Sequence, residues 1–215
     1  MNDGSPHPAR ITVLAGVNGS GKSSIMGELL LRNNAIYFNP DTFTRQLMKL
    51  DKSLELAEAN SRAWHYGKDK LIQSIANKTD FAFETTLGAN TIPRLLREAS
   101  VAGLRVTLWY CGLESPELNI RRVAARVARG GHDIPEEKIR ARWQSSRENL
   151  VNLIPFLEEL KVYDNSTEAS EATGFAPVPE LLLHFKNRAI LYRNPDIPDW
   201  AKPIIAKAML TAGEI

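Results

Sequence analysis

Nine residues near the start of the chain, GVNGSGKSS at 16–24, have the composition of a phosphate cradle. Gly16, Gly21, Lys22 and Ser23 meet the spacing G-x-x-x-x-G-K-[ST] without a mismatch. That pattern binds phosphate when a strand precedes it and a helix follows. Glycines let the backbone turn sharply and aim its N–H groups inward. The following helix adds free N–H groups and the positive end of its dipole. Lys22 is placed to neutralise the β- and γ-phosphates of a nucleotide, and the Ser23 hydroxyl to hold Mg²⁺. The candidate nucleotide contacts of the loop are Gly16, Asn18, Gly19, Ser20, Gly21, Lys22, Ser23 and Ser24. A dinucleotide loop, G-x-G-x-x-G, does not fit, because it needs glycine where Ser24 stands.

Such a loop specifies nucleotide binding and leaves the reaction open. The LSGGQ signature and the acidic pair of a transport ATPase are missing from the sequence. A small kinase on this loop needs an acceptor site and an arginine-rich lid. Two acids stand where an acceptor site belongs, beyond the carboxyl ends of apolar runs. Asp41 follows the second run in YFNPDTF, and Glu84 ends the third in FAFETT. Asp41 suits a base that takes the proton of an incoming hydroxyl. Its structural alternative is a helix N-cap after Pro40. Glu84 suits hydrogen bonds to acceptor hydroxyls or a metal-bound water. A carboxylate in so apolar a strand is costly without a partner.

The lid candidate is IRRVAARVARGGHDIPEEKIRAR at 120–142, with seven basic side chains against three acidic ones in a chain whose net charge is only +2. Arg122, Arg126 and Arg129 recur at spacings that place them on one helix face. GGHDIP interrupts as a hinge, and Asp133, Pro135 and two glutamates then predict a capped helix restart. Two arms about a glycine hinge are what a closing phosphate lid requires. The structural alternative is a solvated basic helix. His132 is read as shaping the hinge turn.

The elements that must hold these residues follow from hydrophobic periodicity. Strands are predicted at 11–16, 35–39, 81–86, 105–113 and 160–165. Helices are predicted at 21–32, 54–77, 91–103, 115–129 and 135–159. LLLHF and AILYR read as a terminal hairpin, with a helical tail after Pro195. Strands alternating with helices imply a three-layer α/β fold of the P-loop kinase type, with a mostly parallel sheet, a helical lid and a small C-terminal hairpin extension. One domain is expected at 1–195, with the lid at about 120–142 and a tail at 196–215. The 215 residues are 43% hydrophobic and 24% charged, with one cysteine, Cys111, in the apolar run VTLWYCGL. Cys111 is read as a buried structural thiol. With no signal-peptide pattern at MNDGSPHPAR and no apolar run of membrane length, the chain is expected to be cytoplasmic. The small net charge argues for neither nucleic acid nor membrane as partner.

Together GVNGSGKSS, FNPDTF, FAFETTL, RVAARVARGGHDIPEEKIRARW and VYDNS, spread over about residues 11–167, resemble the zeta-toxin family of P-loop kinases, nearest its short Gram-negative branch. The resemblance implies ATP- and Mg²⁺-dependent phosphorylation of a UDP-activated amino sugar, typically at the 3′-hydroxyl of UDP-N-acetylglucosamine, and a small helical antitoxin as partner. It puts the phosphate lysine at Lys22, the metal hydroxyl at Ser23 and the acceptor-activating aspartate at Asp41. It puts the sugar-nucleotide contacts at Glu84 and Thr86, one lid arginine at Arg129 and the other at Arg122 or Arg126. Asn165 matches a position near the nucleotide base. Two alternatives stand beside this reading: a kinase for another nucleotide or small metabolite, and an ATP-dependent switch that is not a kinase.

Overall fold

The computed structural model describes residues 8–23, 37–131, 133–168 and 178–215. Strand β1 (Arg10–Ala15) is apolar almost throughout because it is interior on both edges, and Ile11, Val13, Leu14 and Ala15 are fully buried. It runs parallel to β2 (Phe81–Thr85) on one side and β3 (Arg105–Gly112) on the other, with Val13 opposite Phe83 and Leu108. Strand β4 (Glu159–Asp164) pairs parallel to β3. Strands β5 (Glu180–Lys186) and β6 (Ala189–Arg193) complete the order β2-β1-β3-β4-β5-β6 as an antiparallel hairpin. Asn187 and Arg188 turn that hairpin with φ of 50° and 60°, the left-handed pair a two-residue loop demands.

Six helices are described: α1 (Pro40–Leu50), α2 (Leu56–Asn77), α3 (Thr91–Val101), α4 (Pro116–Val127), α5 (Glu136–Leu153) and α6 (Lys202–Ala212). The fold is therefore α/β with a mixed, mostly parallel six-stranded sheet. Leu71, Leu96, Leu150 and Ile204 bring α2, α3, α5 and α6 into one buried cluster with β1, β3 and β4. The segment 196–215, set apart in sequence as a tail, contributes Trp200, Ala201, Ile204, Ile205 and Ala208 to that cluster. Among the described residues no helix is long and apolar enough to cross a membrane.

Several boundaries shift for identifiable reasons. The strand predicted at 35–39 is reduced, within the described residues, to one parallel bridge between Phe38 and Phe83. Phe38 N–H donates to Ala82 and its carbonyl accepts from Glu84 N–H, and Pro40 then opens α1. Of the helix predicted at 21–32, Gly21 still belongs to the loop, Lys22 and Ser23 are helical, and residues 24–32 lie outside the described residues. The helix predicted to 159 ends at Leu153, where Pro155 introduces a 3₁₀ turn, Ile154–Phe156. The capping pattern expected before α5 does not form. Pro135 is the cap residue, without a side-chain bond, and the Asp133 carboxylate accepts the N–H of Ile134 instead. His132, assigned to the same hinge, lies outside the described residues.

Candidate active site

The phosphate loop leaves β1 at the carboxyl edge of the sheet, between β2 and β3, where chain connections diverge to opposite sides. Gly16 sits at φ 149°, and a Cβ there would lie 2.3 Å from the Cys111 carbonyl oxygen, so only glycine fits. Gly19, at φ 84°, packs as closely on α4, where a Cβ would meet the Asn119 carbonyl oxygen at 2.8 Å. Side chains from the sheet and α4 fix the loop from beneath. Asn119 donates to the Asn18 carbonyl at 2.7 Å. Asn165, just past β4, donates to the Ser20 carbonyl at 2.9 Å, and the Cys111 thiol donates to the same oxygen at 3.0 Å. Burial pushes the Cys111 pKa up to about 12, so it is a protonated structural donor at neutral pH.

Glu84 is the centre of the charged arrangement. It is 5% exposed at the end of β2, and Lys22 is 7% exposed. The Lys22 ammonium lies 3.3 Å from Glu84 Oε1, and the Ser23 hydroxyl donates to that oxygen at 2.8 Å. Asn39 Nδ2 donates to Oε2 at 2.8 Å. The carboxylate expected to need partners thus has three, from two segments of chain. Asn39 also caps α1: its Oδ1 accepts the Thr42 N–H at 3.0 Å. The cap is therefore Asn39, and the capping alternative for Asp41 is excluded. Asp41 stands exposed in the first turn of α1, two residues after the cap.

Lys22, Asp41, Glu84 and Thr86 share the lining of one cleft of about 610 Å³. Thr86 reaches it where the chain turns beyond β2, and Ser146 of α5 holds its carbonyl at 2.7 Å. Leu87 follows at φ 57°, a conformation unfavourable for leucine, held by Thr85 Oγ1 on its N–H and Asn149 on its carbonyl. Across the cleft α5 contributes Arg142, which donates to Asn18 Oδ1 at 2.9 Å. Gly88 permits this approach, since a Cβ there would lie 2.7 Å from Arg142 Cγ. Burial lowers the Arg142 pKa, opposed by the Asp41 carboxylate. Trp64, Ile92 and Ile134 give the same cleft apolar wall, and Lys68 and Lys138 further positive charge.

Arg122, Arg126 and Arg129 converge on a separate recess of about 420 Å³ along α4 and the turn after it. Arg122 also donates to the Thr167 carbonyl at 3.2 Å. Arg140 of the same basic segment has a different duty, pairing with Glu117 to tie α5 to α4 and with Glu136 within α5. Asn39, Arg142, Asn119 and Trp64 were not singled out in the sequence. Asn39 carried a usable signal, an Asn-Pro pair before an acid, the composition of a capped helix start. N-K-x-D, the guanine-reading pattern of GTPases, is easily overlooked in the sequence and was not weighed there, yet it stands at Asn77–Asp80. There Lys78 is the left-handed cap ending α2, and Asp80 accepts the N–H of Arg10 at the start of β1. That is the opposite end of the sheet from the phosphate loop, so this tetrapeptide does not read a base.

Sheet order, glycine loop and the acid-bearing cleft beside it define a P-loop protein of kinase-like fold. Residues 11–150 match the AAA domain family AAA_33, and the chain belongs to that family. An uncharacterised protein of Haemophilus influenzae is 30% identical over 133 residues, covering 60% of this chain and 88% of that protein. The structure of AvrRxo1-ORF1:-ORF2 with ATP superposes with a TM-score of 0.63 at 14% identity, over 96% of this chain. The chain spans 64% of that protein's length. The PezAT chromosomal toxin–antitoxin system of Streptococcus pneumoniae gives a TM-score of 0.51 at 14% identity, over 99% of this chain and 90% of that one. At these identities the two structures share the fold.

Proposed function

We propose that the protein is an ATP-dependent phosphotransferase acting on a hydroxyl of a UDP-N-acetylhexosamine such as UDP-N-acetylglucosamine. The observation that carries this reading is the cleft of about 610 Å³ with Lys22 at the phosphate loop and Asp41, Glu84 and Thr86 on its lining. It admits an organic acceptor beside the phosphates, which a switch that only hydrolyses ATP does not require. Its lining suits a sugar nucleotide: Trp64 offers a flat apolar face, and Lys68, Lys138 and Arg142 suit a diphosphate.

In this reading the loop from Gly16 to Ser24 cradles the ATP phosphates, with Lys22 on the outer two. Asp41 takes the acceptor's proton, Glu84 and Thr86 hold the acceptor, and Arg126 and Arg129, with Arg122, steady the transferring group. Asn165 keeps the loop's Ser20 carbonyl in place. The residues fit Mg²⁺: the Ser23 hydroxyl and the Glu84 carboxylate, 2.8 Å apart, are the hard oxygen donors that ion takes alongside substrate phosphates. When bound, it neutralises charge on the β- and γ-phosphates. The reading includes cytoplasmic action and a small antitoxin protein as partner. Two neighbours of similar fold are a complex, AvrRxo1-ORF1:-ORF2, and a toxin–antitoxin system, PezAT.

The test is transfer from γ-labelled ATP to a panel of UDP-sugars, nicotinamide nucleotides and small metabolites, with wild type and Asp41→Asn side by side. Label should pass to UDP-N-acetylglucosamine, and Asp41→Asn should slow it by ~10²–10⁴-fold with ATP binding kept. Label on another acceptor removes the UDP-sugar assignment and keeps the kinase. ATP binding with no labelled product from any acceptor defeats both.

A further inference from the structure

The arginine recess has a fourth guanidinium, and it comes from the acceptor side. Arg45, on α1, joins Arg122, Arg126 and Arg129 around the hollow of about 420 Å³, with Ala125, Gly130 and Gly131 completing the lining. Among the described residues that line it, none is acidic. Arginine cannot shed its charge to relieve crowding, so four converging guanidiniums favour an anion between them. The recess adjoins the phosphate loop: a Cβ on Gly19 would lie 3.5 Å from Arg122 Cβ. Arg45 donates to Thr42 Oγ1 at 3.1 Å, a bond to an exposed hydroxyl that an incoming phosphate oxygen can replace.

The placement of Arg45 relative to Asp41 gives the recess its meaning. The two are four residues apart on α1, hence on one face and about 6 Å apart along the axis. Asp41 lines the acceptor cleft and Arg45 lines the arginine recess. The first two turns of α1 therefore put one side chain on the lining of each cavity.

We infer that Arg45 is a further catalytic residue, contacting the phosphoryl group in flight from the acceptor side while the α4 arginines hold it from the other. The inference rests on the kinase reading above. In the step, the acceptor oxygen bonds to the γ-phosphorus as the bond from that phosphorus to the β–γ bridging oxygen breaks. The electron pair leaves with ADP, and the acceptor proton goes to the Asp41 carboxylate. Arg45 forms no covalent bond and exchanges no proton. It meets charge that spreads over the equatorial oxygens in the transition state.

The experiment compares full-length wild type, Arg45→Ala and Arg45→Lys. Melting temperature, single-turnover transfer from γ-labelled ATP to UDP-N-acetylglucosamine, and slow ATP hydrolysis by water are measured on the same preparations. Arg45→Ala should melt with the wild type and run both reactions ~10²–10³-fold slower, the range of a phosphate-clamping arginine. Arg45→Lys should recover part of the rate, since it restores charge without the fork. Hydrolysis needs no organic acceptor, so Arg45 is still decided if UDP-N-acetylglucosamine is the wrong substrate. An active wild type matched in rate by Arg45→Ala overturns the inference. A wild type that neither transfers nor hydrolyses overturns the kinase reading on which it stands.

Discussion

Asn39 is the residue whose removal tests the architecture of the site most directly. It performs two tasks with one amide: Oδ1 caps α1 through the Thr42 N–H, and Nδ2 holds Glu84 Oε2 at 2.8 Å. Asn39→Ala loses both. Loss of a cap costs about 1 kcal/mol. Leaving a buried carboxylate oxygen without its donor adds about 1–3 kcal/mol. The sum, about 2–4 kcal/mol, lowers the melting temperature by roughly 4–16 °C in a chain of this size. Asn39→Asp separates the two tasks. Aspartate caps as well as asparagine, but it sets a second carboxylate against Glu84. One of the pair then binds its proton more tightly folded than unfolded. Such a group stabilises at low pH, and that stabilisation is lost as pH rises through the raised pKa. Asn39→Asp should therefore lie below wild type at pH 8 and close much of the gap near pH 5. Thermal unfolding of the three proteins across that range is the assay. If Asn39→Ala melts within about 1 °C of wild type, below the least cost of a lost cap, the clamp is absent. A constant gap for Asn39→Asp at every pH would show that the aspartate does not meet Glu84.

Two further perturbations probe the lid and the cleft wall. Arg129→Ala should reduce kcat by ~10³-fold while ATP affinity falls only a few-fold, and steady-state kinetics showing the loss in KM alone would reduce the recess to a binding surface. Gly88→Ala would bring a Cβ to 2.7 Å from Arg142 Cγ. Arg142 should shift away from Asn18, so that transfer weakens with little change in melting temperature, and unchanged transfer would show that Arg142 has no part in the cleft.

The legible parts of the site were those set by local spacing. The phosphate loop is read from eight contiguous positions because its backbone geometry is made by its own glycines. The Arg122, Arg126 and Arg129 face is read from the helical period alone; the helix ends at Val127, so Arg122 and Arg126 share its face and Arg129 reaches the same recess from the turn that follows. What spacing does not encode is which elements meet. Arg45 and Arg142 reach their cavities from α1 and α5, and only tertiary packing brings them to residues of α4 and the phosphate loop. The cap at Asn39 was missed by two positions. The residue before proline is forced out of the helical region, here to φ −111° and ψ 114°, and this made Asn39 the cap. The N-K-x-D tetrapeptide marks the opposite hazard. Its four residues fit a pattern whose chemistry depends on lying at the other end of the sheet.

In the proposed kinase reading, Glu84 joins the donor and acceptor halves of the site. A carboxylate buried to this degree is stable only with charge and hydrogen-bond partners, and the chain supplies Lys22, Ser23 and Asn39. Each partner faces outward to another task. Lys22 is the side chain an incoming polyphosphate attracts, so a nucleotide competes with Glu84 for its charge. Ser23 offers its hydroxyl at the start of the helix that the loop opens into. Asn39 sets the first turn of α1, and through it the positions of Asp41 in one cavity and Arg45 in the other. In the kinase reading proposed above, a nucleotide that draws Lys22 toward its phosphates brings Mg²⁺ to the Ser23 and Glu84 oxygens, so the carboxylate exchanges one positive partner for another. The 3.3 Å contact between Lys22 and Glu84 is therefore where the donor and acceptor halves of that proposed site meet.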